Sequence, residues 1–463
     1  MSTGRRRLST VLIANRGEIA LRVARACRAS GIRVVAACSS ADRDSAVTRV
    51  ADRTIHIGPP KARKSYLNAP ALIQAALMAG ADGIHPGYGF LSEDADFADA
   101  CAAAGLVFVG PPAAVMRRLG DKSTARAAMA AAGLPLLPGA VEPVPTAHEA
   151  ALLATEVGYP VIIKSVAGGG GRGMRVVHHP GELADAFAET TATARALFGD
   201  GRVYVERYLA NARHVEVQVL CDGHGHGVHL GVRDCSVQRR RQKLIEESPA
   251  PALPDTLIDR LTGAAVRGAL ATGYVGAGTF EFLVDPAGRF SFMEVNCRIQ
   301  VEHPVTEMVT GIDLVSEQLR VAAGEPLGYG QEDVRFTGVA VECRVNAEDP
   351  DRDFAPAAGV LTEFVPPGGP FVRVDTHAYT GYRVPAAYDS LLAKVIVWAP
   401  GRDTALARMR HALTEFRIGG PGVHTTARYL SAVLADPRFA EARHDTHLLD
   451  DFALTTTTND GTE

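Results

Sequence analysis

An α/β fold that opens with a doubly wound domain is predicted by three stretches of this sequence. Residues 10–14 (TVLIA), 18–30 and 32–38 read as buried strand, Ala/Arg-rich helix and second strand, a βαβ unit whose helix is stopped by Gly31. Residues 159–164 and 174–177 are strands flanking a loop of four consecutive glycines, 168–171. Residues 278–306 alternate as a β-hairpin, with Asp285-Pro286-Ala287-Gly288 as its turn. A parallel first region is therefore followed by antiparallel hairpins, and 463 residues suffice for two to four domains.

Composition narrows the function. With 47% apolar residues, 22% charged residues and a net charge of −4, the chain offers no basic surface for nucleic acid or for an anionic membrane. Cysteines 27, 38, 101, 221, 235, 297 and 343 are odd in number and never in C-x-x-C spacing, which predicts a reducing compartment and neither disulfides nor a cysteine zinc site. Arg5-Arg6-Arg7 precedes only a short apolar stretch, and no apolar run approaches membrane-spanning length, so a cytoplasmic location is expected. Of the 48 basic residues only Lys61, Lys64, Lys122, Lys164, Lys243 and Lys394 are lysines. A chain that favours arginine this strongly points to those few positions as places where a compact ammonium matters.

Taken in order, the doubly wound rhythm runs to about residue 110 through a helix at 69–79, the loop His85-Pro86-Gly87-Tyr88-Gly89-Phe90, a helix at 96–104 and a strand at 106–109. The loop Asn15-Arg16-Gly17-Glu18 lacks the G-x-G-x-x-G spacing of a dinucleotide site, and Gly120-Asp121-Lys122-Ser123-Thr124 lacks the upstream glycine of a P-loop. Residues 133–145 form a Gly/Pro-rich linker. The glycine loop that follows 159–164 reads as a flap whose amides close over phosphates, against the alternative of a flexible surface turn. Strands at 203–208 and 214–220 come next, then a turn whose His224, His226 and His229 read as solvated residues. The basic stretch 232–243 (VRDCSVQRRRQK) suggests an anion cradle, with an exposed basic edge strand as the competing account. Residues 249–254 stop the chain before a helix at 256–271, and a further helix is expected at 314–323. A third region begins near Gly338, where Glu342, Arg344 and Asn346 share one strand face; its last helix is expected at 404–416, and 455–463 (TTTTNDGTE) reads as disordered.

The hairpin at 278–306 concentrates the chemistry. From Glu294 onward, Glu294, Asn296, Arg298, Gln300 and Glu302 point one way, and Val295, Cys297, Ile299 and Val301 the other. A loop of two or four residues puts Glu281 on the face of Glu294, and that arrangement is expected here; a loop of three would separate them. Two carboxylates at cross-strand distance repel unless a cation lies between them, and the oxygen-only set Glu281, Glu294 and Asn296 suits Mg²⁺ or Mn²⁺. A solvated strand face is the competing reading, but Glu, Asn and Gln are poor strand formers. The chain is expected to leave the strand between Arg298 and Gln300.

The segments IANRGEIALRV, HPGYGFLSE, GDKS, GGGGRGMR, HVEVQVL, RDCSVQRR, FMEVNCRIQVEHPVTE, VECRVNAEDP and Tyr388-Asp389-Ser390, all in one order, resemble the biotin carboxylases of the ATP-grasp superfamily from about residue 11 to about 449. The resemblance implies a biotin carboxylase N-terminal domain at 1–120, an ATP-grasp domain at 121–330 with a mobile lid at about 136–208, a C-terminal α+β domain with antiparallel sheet at 331–452 and a tail at 453–463. It implies that Lys122 and Lys164 contact ATP phosphates, that Gly170 and Gly171 close over them, and that Glu206, Arg207, Tyr208, Leu209 and His214 hold adenine and ribose. Glu281, Glu294 and Asn296 would hold Mg²⁺ or Mn²⁺, and Lys243, Arg298, Gln300 and Val301 would hold bicarbonate. Glu302 would be the base and Arg344 would stabilise the biotin enolate. Arg241 departs from the family pattern, where His or Asn is common; alternation puts Arg239, Arg241 and Lys243 on one face, so Arg241 either adds charge near the ATP phosphates, the expected role, or turns outward.

The implied activity is ATP-dependent carboxylation of biotin by bicarbonate through carboxyphosphate, with the biotin on a separate carrier, since none of the six lysines adjoins a methionine as a biotinylated lysine does. The implied partners are a biotin carboxyl carrier protein, carboxyltransferase subunits and a second copy of the chain. Acetyl-CoA is the expected final acceptor; a pyruvate or urea carboxylase, or another ATP-grasp ligase, is the alternative.

Overall fold

The computed structural model describes residues 7–140, 142–167 and 173–452. Gly170, Gly171 and the expected tail at 455–463 lie outside the described residues. The first region alternates β1 (Thr10–Ile13), α1 (Gly17–Ala29), β2 (Arg33–Ser39), α2 (Ala46–Val50), β3 (Arg53–Gly58), α3 (Ala69–Ala79), β4 (Gly83–His85), α4 (Ala95–Ala103) and β5 (Val107–Phe108). All its strand pairs are parallel, in the order β3-β2-β1-β4-β5 of a doubly wound sheet. Local chemistry sets its helix ends: Asn68 caps α3 by accepting from the Ala71 amide, and Asp94 caps α4 by accepting from the Phe97 amide. Asn15 joins its two sequence motifs, Nδ2 donating to the carbonyls of Pro86 and Tyr88 at 2.7 Å each. Gly87, at φ +63°, leaves room for that amide, which a Cβ would meet at 2.8 Å.

α5 (Ala113–Gly120) and α6 (Lys122–Ala131) follow. Asp121, which separates Lys122 from the pattern of a P-loop, caps α6 by accepting from the Thr124 amide, and so fixes Lys122 as the first helical residue. A small antiparallel sheet, β7-β6-β8, is then built from β6 (Val161–Ser165), β7 (Met174–Val177) and β8 (Val203–Arg207). α7 (Ala147–Val157) and α8 (Leu183–Phe198) cover it through Ala150, Ala154, Leu183 and Ala186.

The remaining structure centres on one eight-stranded antiparallel sheet. Its members are β9 (Arg213–Cys221), β10 (Gly227–Arg239), β11 (Gln242–Ser248), β12 (Gly276–Val284), β13 (Phe290–Asn296), β14 (Val339–Asn346), β18 (Val372–Thr376) and β19 (Leu391–Ala399), in the order β13-β12-β9-β10-β11-β14-β19-β18. The third region therefore continues the central sheet, β14 pairing with β11. Between β14 and β18 lie the short strands β15 (Glu348–Asp349), β16 (Ala355–Pro356) and β17 (Glu363–Val365), the last pairing with β20 (Arg417–Gly419). α9 (Asp255–Ala271) packs Leu257, Leu261 and Ala265 on one sheet face with Val215 and Val217. α10 (His303–Thr310) lies on the opposite face, Val305 and Val309 against Ala340 and Ile396. α11 (Leu314–Ala322), α12 (Arg402–Glu415), α13 (Ala427–Val433) and α14 (Pro437–Ala440) complete the described chain, so the helix expected to be last is followed by two more. No described helix is long and apolar enough to cross a membrane, and all seven cysteines are buried free thiols.

Candidate active site

The catalytic candidates collect on the sheet face opposite α9. Glu281 and Glu294 are direct cross-strand partners, but not for the expected reason. The connection spans five residues, 285–289, an odd number that would by itself pair Glu281 with Met293. A β-bulge at Met293 adds one residue to β13 and brings Glu294 opposite Glu281. The row extends through β9 and β10, where Glu216 pairs with Glu281 and Arg233 with Glu216.

Burial makes the charges on this row interdependent. Lys243 Nζ contacts Glu216 Oε2 at 2.6 Å, Glu302 Oε1 at 2.7 Å, Glu281 Oε1 at 3.0 Å and Gln300 Oε1 at 3.3 Å. Burial opposes the ammonium charge, but Glu216, Glu281 and Glu302 outweigh it and hold Lys243 well above its usual pKa. Burial likewise pushes Glu302 up, yet Lys243, Arg344 and Arg233 pull its carboxyl below the usual range. Arg344 Nη2 donates to Glu302 Oε2 at 2.9 Å, so both oxygens of this fully buried carboxylate carry a cation. Arg233, buried in turn, bridges Glu216 at 2.5 Å and Gln218 at 2.7 Å, and reaches Thr306 on α10.

The chain leaves β13 after Asn296, earlier than expected, yet the alternation persists in the loop: Ile299 and Cys297 stay in the core and Gln300 and Glu302 face the site. Side-chain hydrogen bonds replace the strand ladder there. Arg298 donates to Glu93 Oε2 and Asn296 Oδ1, both at 2.9 Å, and Glu93 Oε1 accepts from the Cys297 amide. The Val301 carbonyl accepts from Lys394 at 2.8 Å.

At the other end of the site, Lys122 Nζ lies 3.6 Å from Glu294 Oε2, and His214 Nε2 lies 3.1 Å from Glu281 Oε2. Lys164 is bound by Glu206, whose second oxygen accepts from Arg126 at 2.9 Å. Tyr208 holds His447 at 2.9 Å, while Arg207 is exposed and Leu209 half-buried beside it. The facing carboxylates of Glu281 and Glu294, with the Asn296 amide on Glu281 Oε1 at 2.9 Å, form a hard oxygen set that suits a magnesium-like cation.

The basic stretch 232–243 differs from its expectation. β10 lies between β9 and β11, so it is not an edge strand. Arg240 and Arg241, at φ +48° and +65°, make a two-residue turn between β10 and β11, and this breaks the alternation that was to put Arg239, Arg241 and Lys243 on one face. Gln238 pairs with Lys243 and faces the site through His214 Nδ1 at 2.8 Å. Arg239 instead binds Asp353 and lies 3.9 Å over the Phe354 ring. Arg241 is exposed at the turn, and Tyr208 is the titratable group that acts on it.

Sequence reasoning missed Glu93, Glu216, Arg233, Glu246 and Lys394. Each is one polar residue within an ordinary strand or motif, and its partners lie far away along the chain; Lys394 alone carried a signal, as one of six lysines.

Comparison with known proteins assigns this architecture. Residues 7–116 match the biotin carboxylase N-terminal domain, 121–329 the ATP-binding domain of the carbamoyl-phosphate synthase L chain, and 342–451 the biotin carboxylase C-terminal domain. The biotin carboxylase of Pseudomonas aeruginosa is 52% identical, over 96% of this chain and 98% of the relative. The chain belongs to the biotin carboxylase family. The Nostoc biotin carboxylase is 51% identical over 94% of this chain and 97% of its own. Among solved biotin carboxylases, the complex from Campylobacter jejuni described as a biotin carboxylase-β-γ-ATP complex has a TM-score of 0.94 at 46% identity, covering 96% of this chain and 99% of that one. The biotin carboxylase domain dimer of Hydrogenobacter thermophilus 2-oxoglutarate carboxylase, with MgADP, ADP and bicarbonate, has a TM-score of 0.92 at 43% identity, covering 96% and 99%.

Proposed function

We propose that this chain carboxylates biotin on a separate carrier protein, using bicarbonate and ATP, as the biotin carboxylase component of an acyl-CoA carboxylase with acetyl-CoA as the final acceptor. The observation that carries the reading is the Lys243 ammonium set among Glu216, Glu281 and Glu302, with Arg344 on the far oxygen of Glu302. That cluster joins a carboxylate pair suited to a metal, an anion site and a base within one buried network.

In this reading Lys122 and Lys164 bind the ATP phosphates, and Gly170 and Gly171 share that role. Glu206, Arg207, Tyr208, Leu209 and His214 line the nucleoside, with Arg241 beside Tyr208. Glu281, Glu294 and Asn296 would hold Mg²⁺ or Mn²⁺, which supplies neutralisation of phosphate charge. Bicarbonate sits against Lys243, Arg298, Gln300 and the Val301 amide. Its negative charge competes with Glu302 for Lys243, which raises the Glu302 pKa and makes that carboxylate a better base. Glu302 takes the bicarbonate proton, and the bicarbonate oxygen attacks the γ-phosphorus, giving carboxyphosphate and ADP. Carboxyphosphate breaks down to CO₂ and phosphate; the phosphate takes the N1′ proton of biotin, and the enolate held by Arg344 attacks CO₂. The domain limits of 1–120, 121–330 and 331–452, the lid at about 136–208, the homodimer, the carboxyltransferase partners and the cytoplasmic location belong to the same reading. The family assignment and the buried free thiols support it.

The test is an assay of ADP release with and without bicarbonate and biotin, together with a streptavidin blot of the purified chain. ADP release that needs bicarbonate, formation of carboxybiotin from free biotin and no covalent biotin are expected. Biotin-independent ligation of another carboxylate, or covalent biotin on the chain, would contradict the reading.

A further inference from the structure

Arg344 is held at one nitrogen by two carboxylates. Its Nη2 lies 2.9 Å from Glu302 Oε2 and 2.5 Å from Glu246 Oε1. Glu302 belongs to the loop before α10, whereas Glu246 projects from β11 and is the direct cross-strand partner of Glu342 on β14. Glu246 and Glu342 are both fully buried, and apart from the Arg344 ion contact none of their four carboxylate oxygens has a hydrogen-bond partner among the described residues.

Two carboxylates side by side in a dry strand pair, with no cation paired to both as Lys243 is to Glu216 and Glu281, repel strongly enough that the pair holds a proton. Arg344 makes Glu246 the ionised member. The cations that act on Glu342 are Lys394 and, less strongly, Arg344; Lys394 is already engaged by Glu18 at 3.1 Å and by the Val301 carbonyl, and Arg344 makes its ion contact with Glu246. Burial pushes both carboxyls up, Glu342 well above the carboxylate range and Glu246 less far because Arg344 pulls against it. The other charged groups that act on the pair are Lys243 on β11 and Glu302.

We propose that Glu246 is a positioning residue for the carboxylation stage: it keeps the Arg344 guanidinium in place once Glu302 has taken the bicarbonate proton and lost its hold, while a proton on Glu342 keeps the strand pair intact. The inference rests on the roles given above to Glu302 and Arg344. The proton balance closes without a further donor. Glu302 gains the proton that bicarbonate loses, Glu342 keeps its own, and Glu246 and Arg344 remain a charged pair throughout.

Glu246→Gln and Glu342→Gln, compared with wild type for carboxybiotin formed per ADP released at saturating biotin, test this directly. The ratio does not depend on how much of a sample is folded. Glu246→Gln should keep bicarbonate-dependent ADP release within about threefold and lose about 10- to 100-fold in the ratio, the scale of a catalytic group misplaced by about 1 Å. Glu342→Gln, neutral like the acid it replaces, should stay within about twofold of wild type in the ratio. Glu246→Asp, which keeps the charge one methylene further away, should fall between the two and serves where Glu246→Gln does not fold. An unchanged ratio in Glu246→Gln, or an equal fall in both glutamine variants, overturns the proposal. Absence of carboxybiotin in the wild-type arm would instead overturn the functional reading beneath it.

Discussion

Lys394 of β19 reaches across to the Val301 carbonyl at 2.8 Å while its ammonium pairs with Glu18 of α1 at 3.1 Å, so one fully buried lysine ties the third region, the first region and the loop before Glu302 together. Breaking a buried pair from one side leaves an uncompensated charge, which costs about 3–5 kcal/mol. Lys394→Met should therefore lower unfolding free energy by about that amount, and the double variant Lys394→Met/Glu18→Gln should recover most of it. Urea denaturation checks both; a double variant as unstable as the single one would show that the ion pair is not what is lost.

The facing carboxylates of Glu281 and Glu294 predict the response to metal. Removing divalent cations with EDTA should abolish ADP release, and either Glu281→Gln or Glu294→Gln should raise the Mg²⁺ concentration for half-maximal activity by about 10-fold or more. Titration of activity with Mg²⁺ at saturating ATP reads this out. An unchanged titration in both variants would remove the pair from the metal site.

His377 sets a pH dependence. Burial, aided by Arg16, lowers its pKa from 6.5 to about 3, so the unfolded chain binds a proton below pH 6.5 that the folded chain does not. Stability contributed by the neutral ring is complete above pH 6.5 and is lost as pH falls toward 3. Wild type should lose about 2 kcal/mol relative to His377→Gln between pH 7 and pH 5, from about 1.4 kcal/mol per pH unit below 6.5. Urea midpoints of the two proteins at the two pH values give the difference, and parallel pH dependences would contradict it.

Arg241, at the exposed turn beside Tyr208, should affect nucleotide affinity through charge. Arg241→His is expected to raise the KM for ATP severalfold and to weaken its dependence on salt. If both stay as in wild type, the side chain is a bystander.

Much of this arrangement was legible because it is local. The period-2 pattern of residues 278–296 and the Asp-Pro-Ala-Gly turn were enough to place Glu281 and Glu294 on a hairpin. Even the bulge left a trace, since Phe290 and Phe292 fall out of phase with Val295. The Arg240-Arg241 turn left none, because two arginines at positive φ carry neither glycine nor asparagine to mark it. Glu216, Arg233 and Glu246 were invisible for another reason: each lies mid-strand, and only the joining of β11 to β14 in one sheet brings Glu246 to Arg344.

The division of labour between Glu302 and Arg344 is the central claim, and one assay decides it: ADP release and carboxybiotin formation measured together in Glu302→Gln and Arg344→Ala. A general base contributes about 10²- to 10⁴-fold, so Glu302→Gln should lower both quantities by an amount in that range. Arg344→Ala should slow carboxylation while bicarbonate-dependent ADP release partly survives. Near-normal ADP release in Glu302→Gln, or its complete loss in Arg344→Ala, would contradict the account.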